Sequence, residues 1–193
     1  MPTLQDIPKV EVTSVKDLRQ WFEANYAQTD SIWLVTYKKV VPEKYIFIQE
    51  VLDEVLCFGW MDGRRMKLDD QRTMQLLSPR KTEHWSKTYK DRVAKLTQAG
   101  RMHEAGLRVV EAAQKSGMWD FLNDVDALIK PDDLTQALEE HPPALANYET
   151  FPDSAKRDIL RWIKLAKKPE TRARRIYKTA ILAAQNKRAS GTR

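Results

Sequence analysis

After Trp85, apolar residues recur at helical spacing almost to the C-terminus, and this pattern constrains the fold more than any other feature. Six successive segments carry it, and each is long enough for only a short or medium helix. Glycines and prolines stand where these segments should end, at positions 100, 117, 142–143 and 169. We therefore expect an all-helical C-terminal half.

The first 85 residues carry mixed signals. Helical apolar spacing is found in 14–27 and 48–58, and IWLVTYKK (32–39) between them has the β-branched and aromatic character of a strand. Residues 60–77 indicate a hairpin turning at Leu68-Asp69-Asp70-Gln71. The predicted fold class is α+β, in the order helix, strand, helix and hairpin, followed by helices. We expect halves 1–85 and 86–193 to pack as one globular unit with a frayed basic tail, 187–193.

Composition places the chain among ordinary globular proteins. It has 193 residues, of which 42% are hydrophobic and 31% charged. The N-terminal residues lack a signal-peptide pattern, and no apolar run reaches membrane-spanning length, so we expect a cytoplasmic protein without membrane insertion. Cys57 is the single cysteine and the three histidines are scattered, which predicts no disulfide framework, no metal site and no cofactor.

Charge is distributed unevenly along the chain. Residues 156–193 hold 13 Lys and Arg against two acidic residues, whereas 119–155 hold nine Asp and Glu against one lysine. The basic segment suggests contact with an anion or with nucleic acid, for which the candidates are Lys167, Arg172, Arg174 and Arg175. The alternative, which we favour, is that the neighbouring acidic segment packs alongside and neutralises it.

Residues 57–86 are the best candidate for a site, because they combine two tryptophans with aspartates and arginines. Asp62 follows Trp60 into a predicted strand, where its carboxylate would need arginine or backbone donors. Arg80 offers a planar fork for a carboxylate, and Trp85 offers a face for stacking. Ser86 offers a hydroxyl or a helix cap. The structural alternative is an ion pair that fastens the hairpin to the helices.

Motifs of known enzymes are absent from the sequence. It contains no glycine-rich phosphate loop, no GxSxG elbow and no evident pair of nucleophile and base, so we assign no catalytic residue. Asp69 and Asp70 are interpreted as turn residues, and Cys57 as a core residue.

Several longer motifs resemble the YdeI/OmpD-associated family, whose members are also called bacteriocin-protection proteins. They are EVLCFGWMDG (54–63), LSPRK (77–81), HWSK (84–87), AGRMHEAGL (99–107), SGMWD (116–120) and AKKPETRARRI (166–176). The resemblance implies a soluble bacterial protein associated with tolerance of bacteriocins or antimicrobial peptides, and it provides no catalytic residues. The chain departs from the family pattern at Glu83, where relatives often have serine, and near Tyr89, where they often have asparagine.

Three functions are compatible with these observations. We favour a non-enzymatic binding protein linked to stress or antimicrobial-peptide tolerance, with a pocket of tryptophan, arginine and aspartate for a small anionic ligand or a peptide. The first alternative is nucleic-acid binding through the basic C-terminal helices. The second is a small-molecule enzyme that uses Asp62 as an acid or base.

Overall fold

The computed structural model describes residues 6–81 and 83–189, and it confirms the α+β class. The strands are β1 (Lys9–Glu11), β2 (Ile32–Tyr37), β3 (Trp60–Lys67) and β4 (Arg72–Pro79). The helices are α1 (Val15–Asn25), α2 (Ile48–Cys57), α3 (Lys87–Gln98), α4 (Glu104–Lys115), α5 (Asn123–Asp126), α6 (Asp132–Glu139), α7 (Ala144–Thr150), α8 (Asp153–Lys164) and α9 (Pro169–Ala184). A single 3₁₀ turn, Pro42–Lys44, precedes α2. No described helix has the length and apolar character needed to span a membrane.

The strands form one sheet in the order β1-β2-β4-β3, in which β1 and β2 are parallel and the other pairs antiparallel. The predicted hairpin is present as β3 and β4. Its turn is closed by Asp69, whose carboxylate accepts hydrogen bonds from the backbone N–H groups of Gln71 (2.9 Å) and Arg72 (2.7 Å). The turn role of Asp69 is therefore confirmed.

Two glycines bring α2, β3 and α4 close together. Gly59 ends α2 with a φ of +74°, a left-handed conformation that costs glycine little, and the chain then turns directly into β3. Gly106, in the first turn of α4, approaches the end of α2 so closely that a Cβ there would lie 2.2 Å from the carbonyl oxygen of Cys57. These contacts place the start of α4 beside the start of β3.

Two hydrophobic cores divide the chain into compact units, with the boundary between Asp120 and Phe121. Trp85 marks the change from mixed to helical structure, but α3 and α4 still belong to the first unit. Their apolar residues Val93 and Val110 belong to the same core as Val51 and Val55 of α2. The second core is formed by residues of α5 to α9.

Candidate anion-binding site

Asp62 lies on β3, opposite Leu77 of β4, and accepts hydrogen bonds from two neutral donors. The Gln75 side chain donates to one carboxylate oxygen at 3.2 Å, and the Tyr89 hydroxyl donates to the other at 2.5 Å. The expected arginine partner is not among its described contacts. Both oxygens are therefore occupied by uncharged groups, and the carboxylate is fixed in place rather than paired with Arg80.

Arg80 directly follows β4, where its backbone N–H donates to the carbonyl of Gly59 at 3.0 Å. Its guanidinium carbon lies 3.8 Å from the centre of the Trp85 ring, which is a close cation–π contact. Nη2 makes a long hydrogen bond to the carbonyl of His84, at 3.4 Å, and the buried Nε has no hydrogen-bond partner in the described structure. Burial lowers the pKa of Arg80, and the charges of neighbouring acidic groups only partly oppose this effect.

Tyr89 connects the other members of the cluster. Its ring lies 5.2 Å from the guanidinium carbon of Arg80 and packs edge-on against Trp85 at a centroid distance of 6.4 Å. Burial, and then the hydrogen bond to Asp62, raise the pKa of Tyr89 to about 12, so the phenol stays protonated as a donor. Tyr89 was not among the predicted site residues, because the spacing of apolar residues in a helix does not identify the partner of a hydroxyl group.

The two tryptophans are buried and do not form an open platform. Trp60 is 1% exposed, and its Nε1 donates to the carbonyl of Tyr26 at 3.1 Å. Trp85 is also 1% exposed and packs against Trp119, while Arg80 covers one face of its ring. Trp85 Nε1 lacks a partner among the described atoms.

Ser86 occupies the N-cap position of α3, as one of its two interpretations predicted, but its side chain makes no capping hydrogen bond. Of the five predicted site residues, the structure brings Asp62, Arg80 and Trp85 together around Tyr89. The Trp60 side chain faces the aromatic residues of α1 instead, with its ring centroid 5.5 Å from that of Phe22.

Arg80 also lines an open cleft of about 390 Å³ within the first unit. The cleft runs between the end of β4 and one face of α4, and Arg108 of α4 lines it as well. Its other walls are largely apolar and include Trp60, Pro79 and Val109. The described lining includes two arginine residues and no Asp or Glu residue. Arg108 is paired with Glu104 on its own helix, so any complementarity of the cleft to an anion depends on Arg80.

The basic residues proposed near α9 differ in their surroundings. Arg172 forms a two-pronged ion pair with Asp133, at 2.7 and 2.8 Å, and Arg175 donates to the carbonyl of Trp162. Lys167 and Arg174 are exposed. The acidic segment thus supplies a partner for at least one of these basic residues, as the favoured interpretation of the charge pattern expected. Similar pairs join Lys164 to Asp124 and Lys156 to Glu149.

The described residues contain no group of three or more His, Cys, Asp or Glu side chains arranged to hold a metal ion. Cys57 is fully buried, which confirms its predicted place in the core. Burial raises the pKa of the Cys57 thiol to about 11, with a smaller contribution from the Glu54 charge. The thiol is therefore protonated at neutral pH and unsuited to act as a nucleophile.

Comparison with known families divides the chain into two matched segments. Residues 10–109 match a model described as a domain of unknown function, DUF8412, and residues 127–186 match the model described as "Bacteriocin-protection, YdeI or OmpD-Associated". Searches of curated proteins and of solved structures gave no match. The AKKPETRARRI motif (166–176) lies in the second segment, whereas the motifs around Asp62 and Arg80 lie in the first. The chain thus belongs to the DUF8412 family, whose model matches residues 10–109, and in residues 127–186 it is similar to the family described as bacteriocin-protection, YdeI or OmpD-associated.

Proposed function

We propose that this chain is a non-enzymatic binding protein that takes a small anionic ligand at Arg80 and contributes to protection against bacteriocins. The protective role is carried over from the description of the family that residues 127–186 match. The binding role is argued from the first unit alone. One observation carries it: Arg80, whose half-buried guanidinium has no ion-pair partner among the described residues, is one of the residues that line a cleft with no described Asp or Glu in its lining.

The position of Arg80 is costly for a residue with only a structural role. Removing a charged group from water is unfavourable unless hydrogen bonds and an opposite charge compensate for it. Arg80 has the Trp85 ring and one long hydrogen bond, but its Nε is unsatisfied. An anion bound in the cleft would supply the missing charge, since bonds between guanidinium and oxyanions are among the stronger hydrogen bonds in proteins.

The contacts of Asp62 support binding over catalysis. A general acid or base needs an oxygen that can reach the substrate, but both Asp62 oxygens accept hydrogen bonds from Gln75 and Tyr89. Asp62 therefore holds α3 against the hairpin and leaves the positive charge of Arg80 available for a ligand.

The binding test is a thermal unfolding series with phosphate, sulfate and acetate at constant ionic strength, with chloride as the reference. A ligand at 100 times its Kd should stabilise the native state by about 2.7 kcal/mol. We expect at least one of these anions to raise the Tm of the parent protein and to have no effect on Arg80→Gln. The matched control is Arg65→Gln, because Arg65 is an exposed arginine on β3 and does not line the cleft.

A second variant keeps the test decisive if Arg80→Gln does not fold. Arg80→Lys retains the charge and should keep part of the anion response, even if Arg80→Gln unfolds. The binding proposal is wrong if no anion stabilises the parent or if Arg80→Gln responds like the parent.

For the protective role, bacterial cells that produce the parent protein should survive a bacteriocin challenge better than cells producing Arg80→Gln at the same level. Equal survival would contradict a protective role for this site.

A further inference from the structure

The walls of the cleft indicate which class of anion it accepts. Ala105, Val109 and Ala112 line it from α4, and because they are spaced i, i+4 and i+7 they form one apolar stripe along the helix. Pro79 and Tyr26 also line it. A ligand that reached Arg80 through this cleft would therefore contact apolar surface along most of its length.

The charged residues of the cleft offer few free hydrogen-bond donors to a ligand. Nη2 of Arg80 is engaged with a carbonyl and its Nε is buried, so only part of one guanidinium is free to meet a ligand. Arg108, the other cationic residue in the lining, is paired with Glu104 one turn earlier on α4. Phosphate carries more charge and more acceptor oxygens than this arrangement can satisfy, whereas a carboxylate carries one charge and two oxygens.

The volume of the cleft, about 390 Å³, lies near the lower end of the range for small-molecule sites. It accommodates a ligand of the size of a substituted aromatic ring or a short branched chain. Gly59 contributes to this shape, since a Cβ there would come within 2.9 Å of Val109 and force the wall to shift.

We infer that the ligand of this site is a small amphipathic carboxylic acid, whose carboxylate meets Arg80 and whose apolar body lies along the Ala105–Val109–Ala112 stripe of α4. This inference rests on the proposed function, because it names the class of anion that the Arg80 site binds. The carboxylate supplies the opposite charge that Arg80 lacks, and the apolar body removes the stripe from water.

The test compares four probes by isothermal titration: 3-phenylpropionate, its neutral amide 3-phenylpropionamide, acetate and inorganic phosphate. We expect 3-phenylpropionate to bind at least tenfold more tightly than each of the other three probes. We also expect Arg80→Gln to remove this preference over the amide, because the two ligands differ in charge and share the apolar body.

A pair of matched variants locates the apolar body. Ala112→Gln places a polar side chain on the stripe and should weaken 3-phenylpropionate at least threefold while leaving acetate unchanged. Ala94→Gln is the control, because Ala94 is likewise an exposed helical alanine of the first unit but does not line the cleft. Both substitutions lie on exposed helix positions that tolerate glutamine.

The outcomes separate this inference from the proposed function. If phosphate or acetate binds as tightly as 3-phenylpropionate and depends on Arg80, the amphipathic class is wrong and the anion-binding function stands. If no probe binds, both are wrong. If the amide binds as well as the acid, the cleft recognises apolar surface without charge, which also contradicts both. Equal affinities of Ala112→Gln and Ala94→Gln for 3-phenylpropionate would overturn the proposed position of the apolar body.

Discussion

Gly106 provides the sharpest test of how the first unit is packed. It lies in the first turn of α4, against the last turn of α2. A Cβ at this position would lie 2.2 Å from the carbonyl oxygen of Cys57 and 3.0 Å from that of Leu56. The Cys57 carbonyl is also held by a hydrogen bond from the His103 N–H at 3.1 Å. Both atoms that an added methyl group would meet therefore belong to the backbone and cannot move independently.

Two opposing effects determine the sign of the change in Gly106→Ala. Helix propensity alone would stabilise the alanine variant by about 1 kcal/mol, and by less in a first turn. Ordinary contact begins near 3.4 Å, so α4 must withdraw by about 1 Å from a carbonyl now 2.2 Å from the new Cβ. Overpacking of this kind costs roughly 1–3 kcal/mol, and a backbone clash belongs at the upper end. We expect a net loss of about 2 kcal/mol.

Urea unfolding followed by tryptophan fluorescence measures this loss. Five of the six tryptophans precede the boundary at Asp120, so the signal reports mainly on the first unit. With a slope near 2 kcal/mol per molar, the midpoint should fall by about 1 M. Gly100→Ala is the control, since its φ of +64° disfavours alanine although no atom lies within 4 Å of the added Cβ. It should cost only about 1 kcal/mol. A Gly106→Ala variant as stable as the parent would refute the close approach of α4 to α2.

Three further predictions concern charges. Glu54 is 2% exposed and accepts hydrogen bonds from Arg19 at 3.0 Å and Arg101 at 2.7 Å. Glu54→Ala should lower the free energy of unfolding measured in urea by about 2 kcal/mol. The loss is smaller than for a wholly buried ion pair because both arginines are partly exposed. The hydrogen bonds from Arg172 lower the pKa of Asp133 below its ordinary value. Its contribution to stability is therefore present above the unfolded-state pKa, at about pH 4, and lost as the pH falls through the folded-state pKa. Thermal unfolding between pH 6 and pH 3 should thus show a shallower acid loss in Asp133→Asn. The charge of Glu83 acts on Arg80, so in titrations at low salt Glu83→Ser should tighten anion binding about two- to fivefold, and added salt should reduce the gain.

Secondary structure was predictable where the pattern extended over several turns or a full strand. The helix expected at 48–58 is Ile48–Cys57, and Gly59 follows its end with a positive φ. Strand β1 was missed because three residues are too few to show alternation, and it owes its conformation to parallel pairing with β2. Helix α5 has only four residues and was missed for the same reason.

For the candidate site, the sequence indicated residues but not their contacts. Residue types and strand position drew attention to Asp62, Arg80 and Trp85, which lie together in the structure. The partner of Asp62 was not predictable, because it depends on how α3 is oriented against the hairpin. Helical spacing reports which residues of α3 face inward, but it does not report which side chain of another element each one meets.

Tyr89 explains how Asp62 and Arg80 can lie in one cluster without forming an ion pair with each other. A second arginine as the partner of Asp62 would add a buried charge, and Arg80 as that partner would neutralise the cleft. The Tyr89 phenol satisfies the carboxylate at 2.5 Å and, with a pKa of about 12, contributes no charge of its own. Arg80 is therefore not locked into an ion pair with Asp62, although the charges of Asp62 and Glu83 still act on it without direct contact.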